Sequence, residues 1–233
     1  MSRTVRLALP LSLTVVLLAT ITTIATAQEG RRGRGFGRFF VLPKVTLAQL
    51  EEVQQELKLS EEQNDQVAEL NDELRDGMRA AFEDAEGDRE KMREGIGKIQ
   101  TDVNARFDKL LDEAQQKRAH EIYVQVNGSG ALQDESIAAE LKLTDEQQEE
   151  LDEAANESRQ AFMDAGLRDL DDEARAEKIE ELNKSRDEKA FAVLTEEQRA
   201  AFDKLKGAEI EVDLSRLPGF GRRGGGQGRQ DST

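Results

Sequence analysis

One heptapeptide occurs twice in this chain, 84 residues apart, and the duplication limits the fold more than any other feature. Leu57-Lys58-Leu59-Ser60-Glu61-Glu62-Gln63 returns as Leu141-Lys142-Leu143-Thr144-Asp145-Glu146-Gln147. At the same offset Phe107 meets Phe191, and at an offset of 83 Leu111-Asp112-Glu113-Ala114-Gln115 meets Leu194-Thr195-Glu196-Glu197-Gln198. The chain therefore reads as two copies of a two-helix unit, roughly 56–127 and 140–207. Four copies of one short pattern, Leu-(Ser/Thr/Asp)-x-x-Gln, open its helices.

Physically, each copy is a capping box. The Ser, Thr or Asp side chain accepts from an early helix N–H, and the Gln three residues on reaches back to the N–H of the cap. The acids in between, such as Glu61-Glu62 and Glu196-Glu197, sit at the positive end of the helix dipole. Helix starts are expected close to Ser60, Asp112, Thr144 and Thr195. The leucine before each cap has no staple partner at the fourth helical position, which is Asn64, Gln116, Gln148 or Arg199. It is expected to pack two turns on, against Val67, Ala119, Leu151 and Phe202.

The body follows helical periodicity. Val67, Leu70, Leu74 and Met78 step by three or four, as do Met92, Ile96, Ile99, Val103, Phe107 and Leu110. Gly87-Asp88, Asn127-Gly128, Gly166 and Gly207 punctuate it. Five Phe and Tyr123 are the only aromatic residues between the chain's two ends, too few for a thick core. The expected fold class is all-α: two repeated helical-hairpin units of long amphipathic, coiled-coil-like helices, at 45–130 and 131–207. They are flanked by a flexible Gly/Arg-rich segment at 28–44 and a flexible tail at 208–233. Ile210, Val212 and Leu214 alternate with acids and suit a short strand or an extended tail equally.

Arg3 and Arg6, the apolar run Leu7 to Ile24 and the small residues Ala25-Thr26-Ala27 read as a cleaved signal peptide, residues 1–27, which directs the chain to the periplasm or outside the cell. Without the leader the net charge is −18, and the stretch between the basic ends holds 22 basic against 47 acidic residues. That field repels nucleic acid, so no nucleic-acid partner is expected. The arginine-rich ends suit an anionic envelope surface or the protein's own acidic body.

Catalytic chemistry finds little to work with. There is no cysteine, and His120 is the only histidine. A nucleophile–base pair or a thiolate or imidazole metal site is not expected, and neither is a catalytic residue, cofactor or bound metal. The densest acidic run, Asp169-Leu170-Asp171-Asp172-Glu173, lacks the Asp-x-Asp-x-Asp-Gly order of a calcium loop and reads as a linker with a helix start.

Leu143-Thr144-x-x-Gln147 and Leu194-Thr195-x-x-Gln198 match in full the motif of the LTxxQ family of periplasmic proteins, which includes the Spy and CpxP envelope-stress proteins. Leu59-Ser60-x-x-Gln63 and Leu111-Asp112-x-x-Gln115 vary it at the cap. Over about 55–207 the chain resembles that family. Residues Ala119 to Gly128 running into Leu141 to Thr144 resemble a duplicated subgroup of planctomycete type. The resemblance implies small helical proteins forming cradle-shaped dimers, some acting as ATP-independent chaperones or stress modulators. This chain departs in being duplicated and acidic, so a homodimer and a single chain standing in for that dimer are both open. The function expected is a non-enzymatic chaperone or stress modulator for unfolded or partner proteins, with a client surface on Val67, Leu70, Leu74, Met78, Ile96, Ile99 and Val103. Apolar positions at this period ordinarily face a core. A dedicated partner-binding or structural envelope protein, and a weak divalent-cation binder, are the alternatives.

Overall fold

The computed structural model describes residues 41–217, all within one compact unit. The expectations for the leader at 1–27, for the Gly/Arg segment as far as residue 40 and for the tail from 218 lie outside the described residues. Within them the fold is all-α, with no strand. A single turn, α1 (Lys44–Leu47), precedes a short helix, α2 (Glu51–Leu57), a long pair, α3 (Glu61–Asp84) and α4 (Arg89–Leu110), and α5 (Glu113–Asn127). A 3-10 segment, Gly128–Gln133, leads into α6 (Glu135–Glu140), the second long pair α7 (Asp145–Asp164) and α8 (Asp172–Ala192), and α9 (Glu196–Leu205). One more 3-10 turn, Leu214–Arg216, follows.

The second half repeats the order of the first, and the repeat starts further upstream than the heptapeptide. Displaced by 84 residues, α2 falls on α6, with Val53 on Ile137, both buried. Lys58 and Lys142, which end these helices, share a left-handed backbone at φ 52° and 53°.

The short helices make the centre. Val45, Leu47, Leu50 and Val53 from α1, α2 and the link between them cluster with Ile122, Tyr123 and Val124 of α5, Leu132 and Ile137. Residues of both repeats thus share one core. The long hairpins are rooted in it and run beyond it. Between residues 75 and 102 only Ala85 is buried, and between 159 and 178 none is. Inside the roots the helical period places Val67, Leu70 and Leu74 of α3 and Val103 and Phe107 of α4 in the core.

Two buried asparagines fix the chain entering this centre. Asn71 donates to the carbonyls of Val45 (2.8 Å) and Val67 (2.9 Å) and accepts from the Thr46 hydroxyl. Asn127 accepts from Leu42 N–H (2.7 Å) and donates to the carbonyls of Leu42 and Tyr123. Both amides are satisfied, as burial requires.

Two ends of the body differ from the flexible segments expected at 28–44 and 208–233. Leu42 is buried, and Lys44 pairs with Asp108 at 2.8 Å. After Gly207, residues 208–213 carry no helix or strand, and Leu214 and Leu217 are buried in the core. Composition pointed to solvent because acids separate the apolar residues. Their alternation lets one edge of an extended segment bury while the acids stay wet.

Candidate functional site

All four motifs close as capping boxes. Ser60, Asp112, Thr144 and Thr195 accept from the backbone N–H of Gln63, Gln115, Gln147 and Gln198, and each Gln returns a bond to the N–H of its cap. The glutamines do more than this local geometry asks. In the first repeat Gln63 Nε2 donates to Gln115 Oε1 (3.0 Å) and Gln115 Nε2 to Gln63 Oε1 (3.2 Å). Their second protons go to the carbonyls of Leu110 (2.7 Å) and Leu57 (3.1 Å). The second repeat builds the same clasp between Gln147 and Gln198, at 2.7 and 3.0 Å, with the carbonyls of Val193 and Leu141 as the further acceptors. Each clasp joins the start of the first long helix to the end of the second and to the short helix beyond. Sequence reasoning assigned each Gln only to its own cap. The clue it passed over is that Gln, never Glu, fills all four positions: only an amide both accepts and donates.

The leucines before the caps behave similarly in both copies. Leu111, Leu143 and Leu194 are buried and Leu59 is half-buried; Val67, Ala119, Leu151 and Phe202, two turns on, are all buried. Cross-hairpin ion pairs repeat too. Arg106 of α4 bonds Glu73 of α3, and Lys189 of α8 bonds Glu157 of α7 at 2.7 Å. Glu73 and Glu157 correspond at the 84-residue offset. Both carboxyls are held below their usual range, first by the hydrogen bond from the partner and then by its charge.

The expected client surface divides in two. Val67, Leu70, Leu74 and Val103 are core residues, so they are not a surface; they lie in the hairpin root, against which α1 packs. Ile96 and Ile99 are half-buried and Met78 is 37% exposed. The structure adds Phe82, 68% exposed, one turn beyond Met78, where the apolar period in the sequence ends. Asn71, Leu74, Met78 and Phe82 form one line at steps of three and four. Asn71 bonds Val45, so the line looks toward α1 and runs from the core outward into water. Arg75 and Arg79 lie beside it, paired with Asp72 and Asp76. Met163 on α7, 59% exposed, is the large exposed apolar residue of the other hairpin.

Neither family models, nor curated proteins, nor solved structures contain a match to this chain.

Other candidate chemistry is sparse. Among the described residues no three His, Asp or Glu side chains converge as metal ligands. His120 Nε2 stands 3.3 Å from Glu140 Oε2, a single contact between α5 and the end of α6. In the run from Asp169 to Glu173, Asp171 caps α8 through Ala174 N–H (2.9 Å) and Asp172 pairs with Arg175 (3.0 Å). Burial pushes the Tyr123 phenol well above its usual range, so it stays protonated. An open groove of about 520 Å³ between α3 and α4 is walled by Gly77, Ala81, Gly95 and Ile99. It is a trough left by closely packed helices: a Cβ on Gly95 would stand 2.9 Å from that of Ala81. No described helix is long and apolar enough to cross a membrane.

Proposed function

We propose that this is an exported, non-enzymatic binding protein of the Spy/CpxP kind, which holds exposed apolar segments of unfolded or partner proteins against the outer half of the α3–α4 hairpin. The observation that carries this reading is the line Leu74, Met78, Phe82, whose exposure climbs from 5% to 37% to 68% along one helix face. Its exposed part, Met78 to Phe82, spans roughly 6 Å, four residues at 1.5 Å each. A patch this small is too narrow for an obligate interface, which buries on the order of 2,000 Å² or more, and suits a ligand that must be released without ATP. Methionine lends an adaptable contact and the paired arginines keep the rim charged. Export rests on the leader, and kinship with the LTxxQ family on the four motifs. One histidine and no cysteine support the non-enzymatic reading.

The test is suppression of aggregation by the purified mature chain, at near-stoichiometric amounts, with one basic and one acidic unfolded client at low and high salt. The acidic body favours the basic client, with an effect that weakens as salt screens it. Replacing both Met78 and Phe82 by Ser is expected to abolish suppression while leaving the denaturation midpoint within a few degrees, because neither side chain is in the core. No suppression of either client at low salt would leave a dedicated partner-binding or structural protein.

A further inference from the structure

Residues 208–217 leave α9 at Gly207 and return across the first repeat. Gly207 has φ +60°, and a Cβ there would stand 2.1 Å from Glu121 Oε2, so the chain turns against α5 itself. Gln125 of α5 then holds the segment by its backbone. Its Oε1 accepts from Ile210 N–H (2.8 Å), and its Nε2 donates to the carbonyls of Ala208 (3.0 Å) and Lys206 (3.2 Å). Leu214 and Leu217 are buried, Ile210 and Val212 pack on the edge of the core, and Glu209, Glu211 and Asp213 stay exposed. Arg216 completes the run on α2, bonding Glu52 (2.8 Å) and Glu51 (3.1 Å).

These are the contacts of a bound peptide. Main-chain groups meet an amide on the body, two leucines at the ends of a 3-10 turn enter apolar seats, and a charged pair fixes one end. We infer that the surface of α2 and α5 beneath residues 208–217 is a docking groove for a polypeptide segment, that this strap is its resident occupant, and that a segment of the same chemistry exchanges with it. That chemistry is three apolar residues alternating with carboxylates, as at Ile210, Val212 and Leu214, then a basic residue and a second leucine three places on. Gln125 sees only main chain and tolerates many sequences. Selectivity comes from the seats of Leu214 and Leu217 and from the carboxylates of Glu51 and Glu52. The groove is built on α2 and α5 and not on the outer half of the α3–α4 hairpin, and the inference does not depend on the function proposed for that hairpin.

The experiment uses the mature chain with a protease site inserted between Gly207 and Ala208, cut after folding, and a fluorescent synthetic peptide of residues 208–217. The cut protein is expected to keep its helical circular dichroism and to take up the labelled peptide saturably. The unlabelled peptide should compete, and a version carrying Leu214→Asp and Leu217→Asp should not. The uncut chain should bind at least tenfold more weakly, because its own strap fills the groove. Gln125→Ala in the cut protein should weaken uptake about tenfold, since its two hydrogen bonds to the peptide, at Ala208 and Ile210, are lost together. If cutting unfolds the protein, or the strap does not exchange even when warmed to just below the unfolding midpoint, the segment is a fixed part of the fold and the inference fails. Uptake indifferent to Gln125→Ala also overturns it.

Discussion

At the scale of single residues, the motif glutamines hold two ends at once. A cap alone is worth about 1 kcal/mol, and Thr144→Ala should destabilise the protein by about that much in urea denaturation. Gln147→Ala removes the return bond to the cap, the bond to Val193 and both bonds of the clasp with Gln198. It should therefore cost more than Thr144→Ala. A double-mutant cycle on Gln147 and Gln198 should show a coupling of roughly 0.5–1.5 kcal/mol; additive losses would mean the clasp contributes nothing. The ion pairs give a pH signature with a definite sign. Glu73 and Glu157 have folded-state values lowered from the ordinary 4.5. Their stabilisation is complete above that ordinary value and is lost as pH falls through the lowered one. Replacing both by Gln should flatten the decline of the thermal midpoint between neutral and about pH 3, and only slightly, since both pairs are exposed.

At the scale of elements, the α3–α4 hairpin shows how two glycines in helices differ. Gly77 faces α4, where a Cβ would stand 2.5 Å from Ile99 Cγ1, so that side chain or the helix spacing must shift. Gly97 of α4 has nothing within 4 Å of such a Cβ. Alanine gains up to about 1 kcal/mol over glycine inside a helix, while overpacking costs roughly 1–3 kcal/mol. Gly97→Ala should therefore raise the denaturation midpoint and Gly77→Ala lower it. Equal effects would show that the hairpin spacing is set elsewhere. The periodicity of α3 was legible from Val67 to Met78. Where along that stripe the core ends was not, because it depends on where α1 stops covering it.

At the scale of the whole molecule, the two repeats share one core, to which α1, α2, α5, Leu132, Ile137 and Leu217 all contribute. A fragment of residues 45–130 keeps its capping boxes and ion pair but loses the residues that close its centre. It should lack a cooperative unfolding transition. A monomeric fragment with a sharp transition would show that the halves are independent domains. By itself the sequence determined the all-α class, the duplication and the four helix starts, because capping and periodicity are local and repeat within a few residues. Only the tertiary structure decided that Gln63 meets Gln115 and Gln147 meets Gln198, that Val103 is core while Phe82 is in water, and that residues 208–217 are bound. Each of these depends on a surface brought from about 50 to 165 residues away, and local patterning carries no information on which distant surface covers a given face.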